Sequence, residues 1–190
     1  MAELNRRLTK LLGLLDTTRA ALRETTRDIN PALATMRPRE DEWSAAEVVE
    51  HLAIVEDLIS RLIAKGVRQA RENGAPPAED ESILSSLDKF RITEVVEKIT
   101  APDNITPGKE MPIEQSLAVL EQKRTDLRET LIGSADIDLS GITRLHPRFG
   151  EFNMYQWAVF VAQHEERHRR QIEKTLDEVT ERAAECAPIV

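Results

Sequence analysis

The stretch Trp43-Ser44-Ala45-Ala46-Glu47-Val48-Val49-Glu50-His51-Leu52-Ala53-Ile54-Val55-Glu56-Asp57-Leu58-Ile59-Ser60-Arg61-Leu62-Ile63 decides the fold. Val48, Leu52, Val55, Ile59, Leu62 and Ile63 recur at steps of three and four, the period of an amphipathic helix with one buried face. Ser44 and Glu47 are spaced as a capping box, and Trp43 and Val48 occupy the staple positions around it. The spacing predicts a long helix from Ala45 to Glu72 that closes at Asn73-Gly74.

Three further segments carry the same period. The first, Ala2 to Ile29, has Leu4, Leu8, Leu11, Leu15 and Leu22 and stops at Asn30-Pro31. Another, Pro112 to Ile132, puts Pro at a first helical position, carries Ile113, Leu117, Leu120, Leu127 and Leu131, and ends at Gly133. The last, Met154 to Glu185, carries Trp157, Val161, Ile172, Leu176 and Val179, and its start repeats the doubly specified entry with Asn153 and Gln156, Phe152 and Trp157. Residues 31–43 and 133–153 read as loops joining antiparallel neighbours. The stretch from Gly74 to Met111 contains Pro76-Pro77, an apolar-periodic piece from Ile83 to Ile99, Pro102 and Pro107, and is long enough to run the length of a bundle. The expectation is all-α: one domain over residues 1–190, a four-helix bundle of up-down-down-up topology with a long crossover between the second and third helices. No hairpin signal competes, and Ile137 to Leu145 reads at most as a short extended piece of loop.

Composition bounds the function. The chain has 190 residues, with 26 Lys plus Arg against 34 Asp plus Glu, a formal net charge of −8, which speaks against sequence-independent binding to nucleic acid. Cys186 is the single cysteine, so no intrachain disulfide forms and no oxidising compartment is indicated. No segment approaches the ~18 consecutive apolar residues of a membrane span. The expectation is a cytoplasmic protein with a small-molecule substrate, no membrane or nucleic-acid partner, and an outer helix face on which a homodimer can form.

The chemistry lies in the histidines. His51 falls in the register Val48, His51, Val55, Leu58, Leu62, and His164 and His168 fall in the register Trp157, Val161, His164, His168, Gln171. A four-residue step stacks the second pair on one helix face. A lone inward histidine reads as a hydrogen-bonded core residue. Three imidazoles on two facing seams are costly to bury unless bonded or ligated, and point to a divalent metal with positions left open for water or substrate. His51 lies ~10 Å from its helix start and the pair ~17 to 23 Å from theirs, so their meeting depends on the stagger of the helices.

Other polar residues are weaker candidates. Gln171 shares the face of His168 one turn on and is placed to bond a metal-bound water or a ligand. Arg124 interrupts the third seam between Leu120 and Leu127, either reaching an anionic substrate group or snorkelling to solvent. Glu47, one turn before His51, is a candidate to orient its ring, although the capping box already accounts for it. His146, before Pro147, reads as a residue that shapes its loop. Glu50, Glu165, Glu166, Arg169 and Arg170 fit a solvated face.

The elements Trp43-Ser44, Glu47-Val48 and His51-Leu52, then His146-Pro147 with Phe149-Gly150, then Trp157, and finally His164, Arg167-His168 and Gln171-Ile172 resemble those of the DinB-like proteins, in particular the YfiT-type proteins regarded as metal-dependent enzymes. The resemblance spans residues 43–172. It implies a four-helix bundle with one divalent metal, often nickel or zinc, on three histidines that map to His51, His164 and His168. It does not imply DNA polymerase activity. Some relatives are thiol-dependent transferases or isomerases that use a low-molecular-weight bacterial thiol as co-substrate, and others are called hydrolases. The leading expectation is therefore a metal-dependent enzyme resembling thiol-dependent S-transferases. The alternatives are a hydrolase using metal-bound water and a non-enzymatic bundle whose metal pins the second helix to the fourth.

Overall fold

The computed structural model describes residues 5–75, 77, 86–94, 101–108 and 111–185. In chain order the elements are α1 (Arg6–Thr26), a single turn α2 (Pro31–Ala34), α3 (Ala45–Glu72), α4 (Ile113–Ile132), β1 (Thr143–His146), β2 (Gly150–Asn153) and α5 (Met154–Glu185), with 3-10 turns at Asp88–Phe90 and Asp103–Ile105. Both doubly specified starts are reciprocal in three dimensions. The Ser44 and Glu47 side chains each accept from the other's backbone N–H, and Asn153 and Gln156 do the same at 2.9 Å in both directions.

Side-chain pairs give the direction of every long helix. Asp57 pairs with Lys123 at 2.9 Å, and Arg71 reaches Asp136, just past the end of α4, at 2.6 Å, so α3 and α4 run parallel. Arg7 lies over the Tyr155 ring and Thr25 bonds Glu173, so α1 and α5 also run parallel. Arg128 pairs with Asp16 and Arg23 with Glu121, which sets α1 antiparallel to α4. Gly66 faces Met154 while His51 meets His164, which sets α3 antiparallel to α5. This is an up-down-down-up four-helix bundle. At Gly66 an added Cβ would stand 3.2 Å from both Met154 Sδ and Ile142 Cγ2. The missing side chain thus lets the start of α5 close on α3, and the resulting stagger brings His51 level with the α5 pair.

The structure corrects the sequence reading in three places. Residues 31–43 are not wholly loop, because Asn30 caps the short helix α2 at Ala32 N–H. Pro112 is the cap rather than the first residue of α4; its ψ of 146° is extended, and the helix begins at Ile113. The connection before α5 contains an antiparallel hairpin, β1 against β2, with Gly150 at φ 84°. Its four-residue strands bury one side chain, Phe152, so there was no alternation long enough to read. Ala2, Leu4, Pro76, Ile83, Ile99 and Cys186 lie outside the described residues. Among the described residues no helix is long and apolar enough to cross a membrane.

The apolar core has two parts. One gathers Leu15, Ile59, Leu127 and Val161 with the aromatic residues of the hairpin end; the other gathers Leu22, Leu52, Leu120 and Ile172. Between them every long helix contributes a buried charge: Arg19, Glu56, Arg124 and Glu165.

Candidate metal centre

His51 lies two turns into α3, and His164 and His168 lie one turn apart on α5. The caps described above fix where each helix begins and hence which way these residues face. The structure brings all three rings together. Their ligand nitrogens lie within 4.8 Å of one another, with His51 and His168 buried and His164 partly so. Nε2 of His164 stands 3.4 Å from Nε2 of His51 and 3.1 Å from Nε2 of His168.

The outer nitrogens decide the chemistry. His51 Nδ1 lies 2.7 Å from the Ile105 carbonyl, which only accepts, so Nδ1 carries the hydrogen and Nε2 presents a lone pair. His168 Nδ1 lies 2.8 Å from the Gln171 amide oxygen, so there too Nδ1–H donates and Nε2 is a lone pair. Neutral His164 has one hydrogen at most to offer at Nε2. At least one of the two short nitrogen contacts therefore sets lone pair against lone pair. A cation is the complement of that arrangement, and a proton is a poor one here. Burial holds His51 below the ordinary histidine range despite its bond to Ile105. Burial together with the His51 charge brings His168 to about 3. Burial, and then the charges of His168, His51 and Arg167, hold His164 well below its usual value. Three neutral imidazoles, two of them with their far nitrogens tied to a carbonyl and to an amide, suit a divalent transition metal.

The weaker candidates separate. Gln171 bonds the His168 ring itself rather than a water or ligand beside it. Glu47 does not orient His51: its carboxylate accepts from Ser44 N–H and from Arg37. Burial alone would raise Glu47, but those bonds hold it below the usual carboxylate range. The Ile105 carbonyl does what Glu47 was expected to do, and a backbone carbonyl in a Pro-framed turn leaves no side-chain signal. Arg124 neither snorkels nor reaches an open site; it is buried against Glu56 at 2.5 Å and Glu165 at 2.9 Å. Glu165 and Glu50 are not on a solvated face either, being 1% and 2% exposed, and Glu50 accepts from Gly108 N–H.

Aromatic rings flank two of the histidines. Trp43 lies 4.9 Å from His51, and Phe160 stacks on His164 at 5.2 Å. His146 packs against Phe149, Phe160 and Trp157, and its Nδ1 accepts from the backbone N–H groups of Arg148 and Phe149, which shapes the hairpin turn. Arg167 donates to the Glu94 carbonyl, tying α5 to the crossover.

A family model described as the DinB superfamily matches residues 14–172, which include all three histidines and Gln171. The chain belongs to the DinB superfamily. This family is often metal-binding. The uncharacterized protein YuaE of Bacillus subtilis (strain 168) is 26% identical over 148 residues, covering 77% of this DinB-superfamily chain and 85% of that protein. A solved crystal structure, TT2238, described as a four-helix bundle protein, matches with a TM-score of 0.58 and 26% identity, covering 88% of this chain and 98% of that one.

Proposed function

We propose that this DinB-superfamily protein is a metal-dependent enzyme in which His51, His164 and His168 hold one divalent ion, nickel or zinc, and that it transfers a low-molecular-weight thiol to a small-molecule substrate. The observation that carries the reading is the convergence of imidazole lone pairs on His164 Nε2 with too few hydrogens to separate them. Bound there, the ion acts as a Lewis acid that lowers the pKa of a water or thiol brought to it.

The carboxylates favour thiol over hydrolytic chemistry. A hydrolase would more naturally include a carboxylate base facing the site. Those nearest in sequence are engaged: Glu47 by Ser44 and Arg37, Glu50 by Gly108, and Glu56 and Glu165 by Arg19 and Arg124. A thiol that gives up its proton readily asks for no such base. The chain's own residues then orient the ligand rings, through Ile105 and Gln171, and wall the site with Trp43 and Phe160.

Elemental analysis of the purified protein should find about one equivalent of metal per chain, and none in His164→Ala. Adding a low-molecular-weight thiol to the cobalt(II)-substituted protein should produce a near-ultraviolet sulfur-to-metal charge-transfer band. Absence of metal in the wild type overturns the site, whereas metal without the band overturns the thiol reading and leaves hydrolysis.

A further inference from the structure

We infer that Arg19, Glu56, Arg124 and Glu165 form a positioning network that sets the rotation and height of α3 and α5 so that the three histidines converge. The inference rests on the metal reading above and deepens it.

Each long helix gives the network one residue, and each side chain is no more than 5% exposed. Arg19 of α1 donates to Glu165 at 2.7 Å and to Glu56 at 2.8 Å, and also to the Leu120 carbonyl of α4 at 3.2 Å. Arg124 of α4 donates to Glu56 and Glu165, and to the Leu15 carbonyl of α1. The two arginines thus exchange bonds with each other's helix backbones, while the two glutamates join α3 and α5 to that pair. These four buried charges cancel, and Arg19 also meets the part-exposed Glu121 of α4 at 3.4 Å.

Such a layer is poorly explained by stability. Taking four charges out of water costs much of what their attraction returns, and apolar residues of similar volume often serve as well or better. What apolar residues do not supply is a unique register, since a leucine seam tolerates small rotations and slides that a forked guanidinium–carboxylate pair does not. The glutamates stand where register matters most. Glu165 directly follows the ligand His164, and Glu56 lies five residues beyond the ligand His51. Fixing these two carboxylates fixes the direction in which the ligand rings point. Neither arginine nor glutamate touches the imidazoles, so these are positioning residues.

The test is the variant R19M/E56L/R124M/E165L, read by thermal melting, zinc affinity and the visible spectrum of the cobalt(II) form. The expected result is a helical protein no less stable than the wild type, with zinc affinity lowered at least about tenfold and a broadened cobalt spectrum. Unchanged affinity and spectrum overturn the inference, since a merely structural layer would leave both alone. Should the variant fail to fold, Glu165→Gln decides on the same readouts: weakened zinc binding in a folded protein supports the inference, and wild-type binding overturns it. A wild-type protein that binds no zinc breaks the functional reading instead.

Discussion

His164 and Glu165 are neighbours on α5, yet they enter two buried polar clusters built on opposite terms. Around Glu165 the donors and acceptors nearly match: Nε and both terminal nitrogens of Arg19 and of Arg124 meet a carboxylate or a carbonyl, the four buried charges cancel, and of the network's atoms Glu165 Oε1 alone is left without a partner among the described residues. Around His164 they do not match, because three imidazole nitrogens face one another with too few hydrogens between them. A cluster whose donors are all met and whose charges cancel holds together without a further ion and orders what surrounds it. An unmatched cluster is complete only with a cation. One-sided damage to the first, which leaves a buried charge unpaired, should therefore appear in folding as well as in metal binding, and damage to the second in binding alone.

The largest effect that tests this contrast is expected at Arg124. Arg124→Ala leaves Glu56 and Glu165 sharing Arg19 alone, and breaking a buried pair from one side costs about 3–5 kcal/mol. Burial already pushes the Glu56 carboxyl up, against the pull of Arg124 and Arg19, so losing one arginine exposes that penalty. Equilibrium denaturation of the metal-free protein measures it. A loss below ~1 kcal/mol would mean that the network is not the closed, desolvated unit described here.

A smaller effect of the other kind is expected at Gln171. Its amide oxygen holds the Nδ1–H of His168, and removing such a partner weakens a metal site by about 10- to 100-fold. Gln171→Ala should therefore lower zinc affinity by that factor, measured by competition with a chromophoric chelator, while the stability of the metal-free protein stays close to wild type. Glu47→Gln sharpens the comparison, because Glu47 is committed to Arg37 and Ser44 and should leave zinc affinity unchanged.

The sequence shows the unmatched cluster more readily than the matched one, and the reason is physical. Three histidines on apolar seams conflict with their surroundings within a single helix, so periodicity alone exposes them. The bundle was legible for the same reason, since α3 and α5 begin where their capping boxes place them. The network residues also interrupt seams: Arg19 between Leu15 and Leu22, Glu56 between Leu52 and Ile59, Arg124 between Leu120 and Leu127, and Glu165 four residues after Val161. Yet a long charged side chain on one helix has two outlets, solvent or a partner, and a helix read alone does not choose between them. The choice appears only when four interruptions of balanced sign are seen to share one layer. The Ile105 carbonyl and the hairpin were illegible for a different reason, since neither carries a side-chain pattern.

The smallest expected effect belongs to the fourth histidine, which sits beside the unmatched cluster without joining it. Burial brings His146 down to about 4 from the ordinary 6.5. The unfolded chain therefore takes up a proton at this residue as pH falls below 6.5, while the folded chain resists until about 4. The contribution is complete above 6.5, is lost as pH falls through that interval, and changes no further below it. His146→Gln should remove this slope, so that its melting temperature relative to the wild type rises between pH 6.5 and 4. The rise should be only about 2 °C, because the ring is half in water and solvent screens its charge. His168→Gln in the metal-free protein should give a larger change of the same sign that extends to about 3, because that ring is buried. Excess zinc should abolish the His168 difference in the wild type's favour at every pH where the metal stays bound, and leave the His146 difference intact. If zinc alters both alike, His146 belongs to the metal cluster after all, and the boundary drawn between the two kinds of buried polar group moves with it.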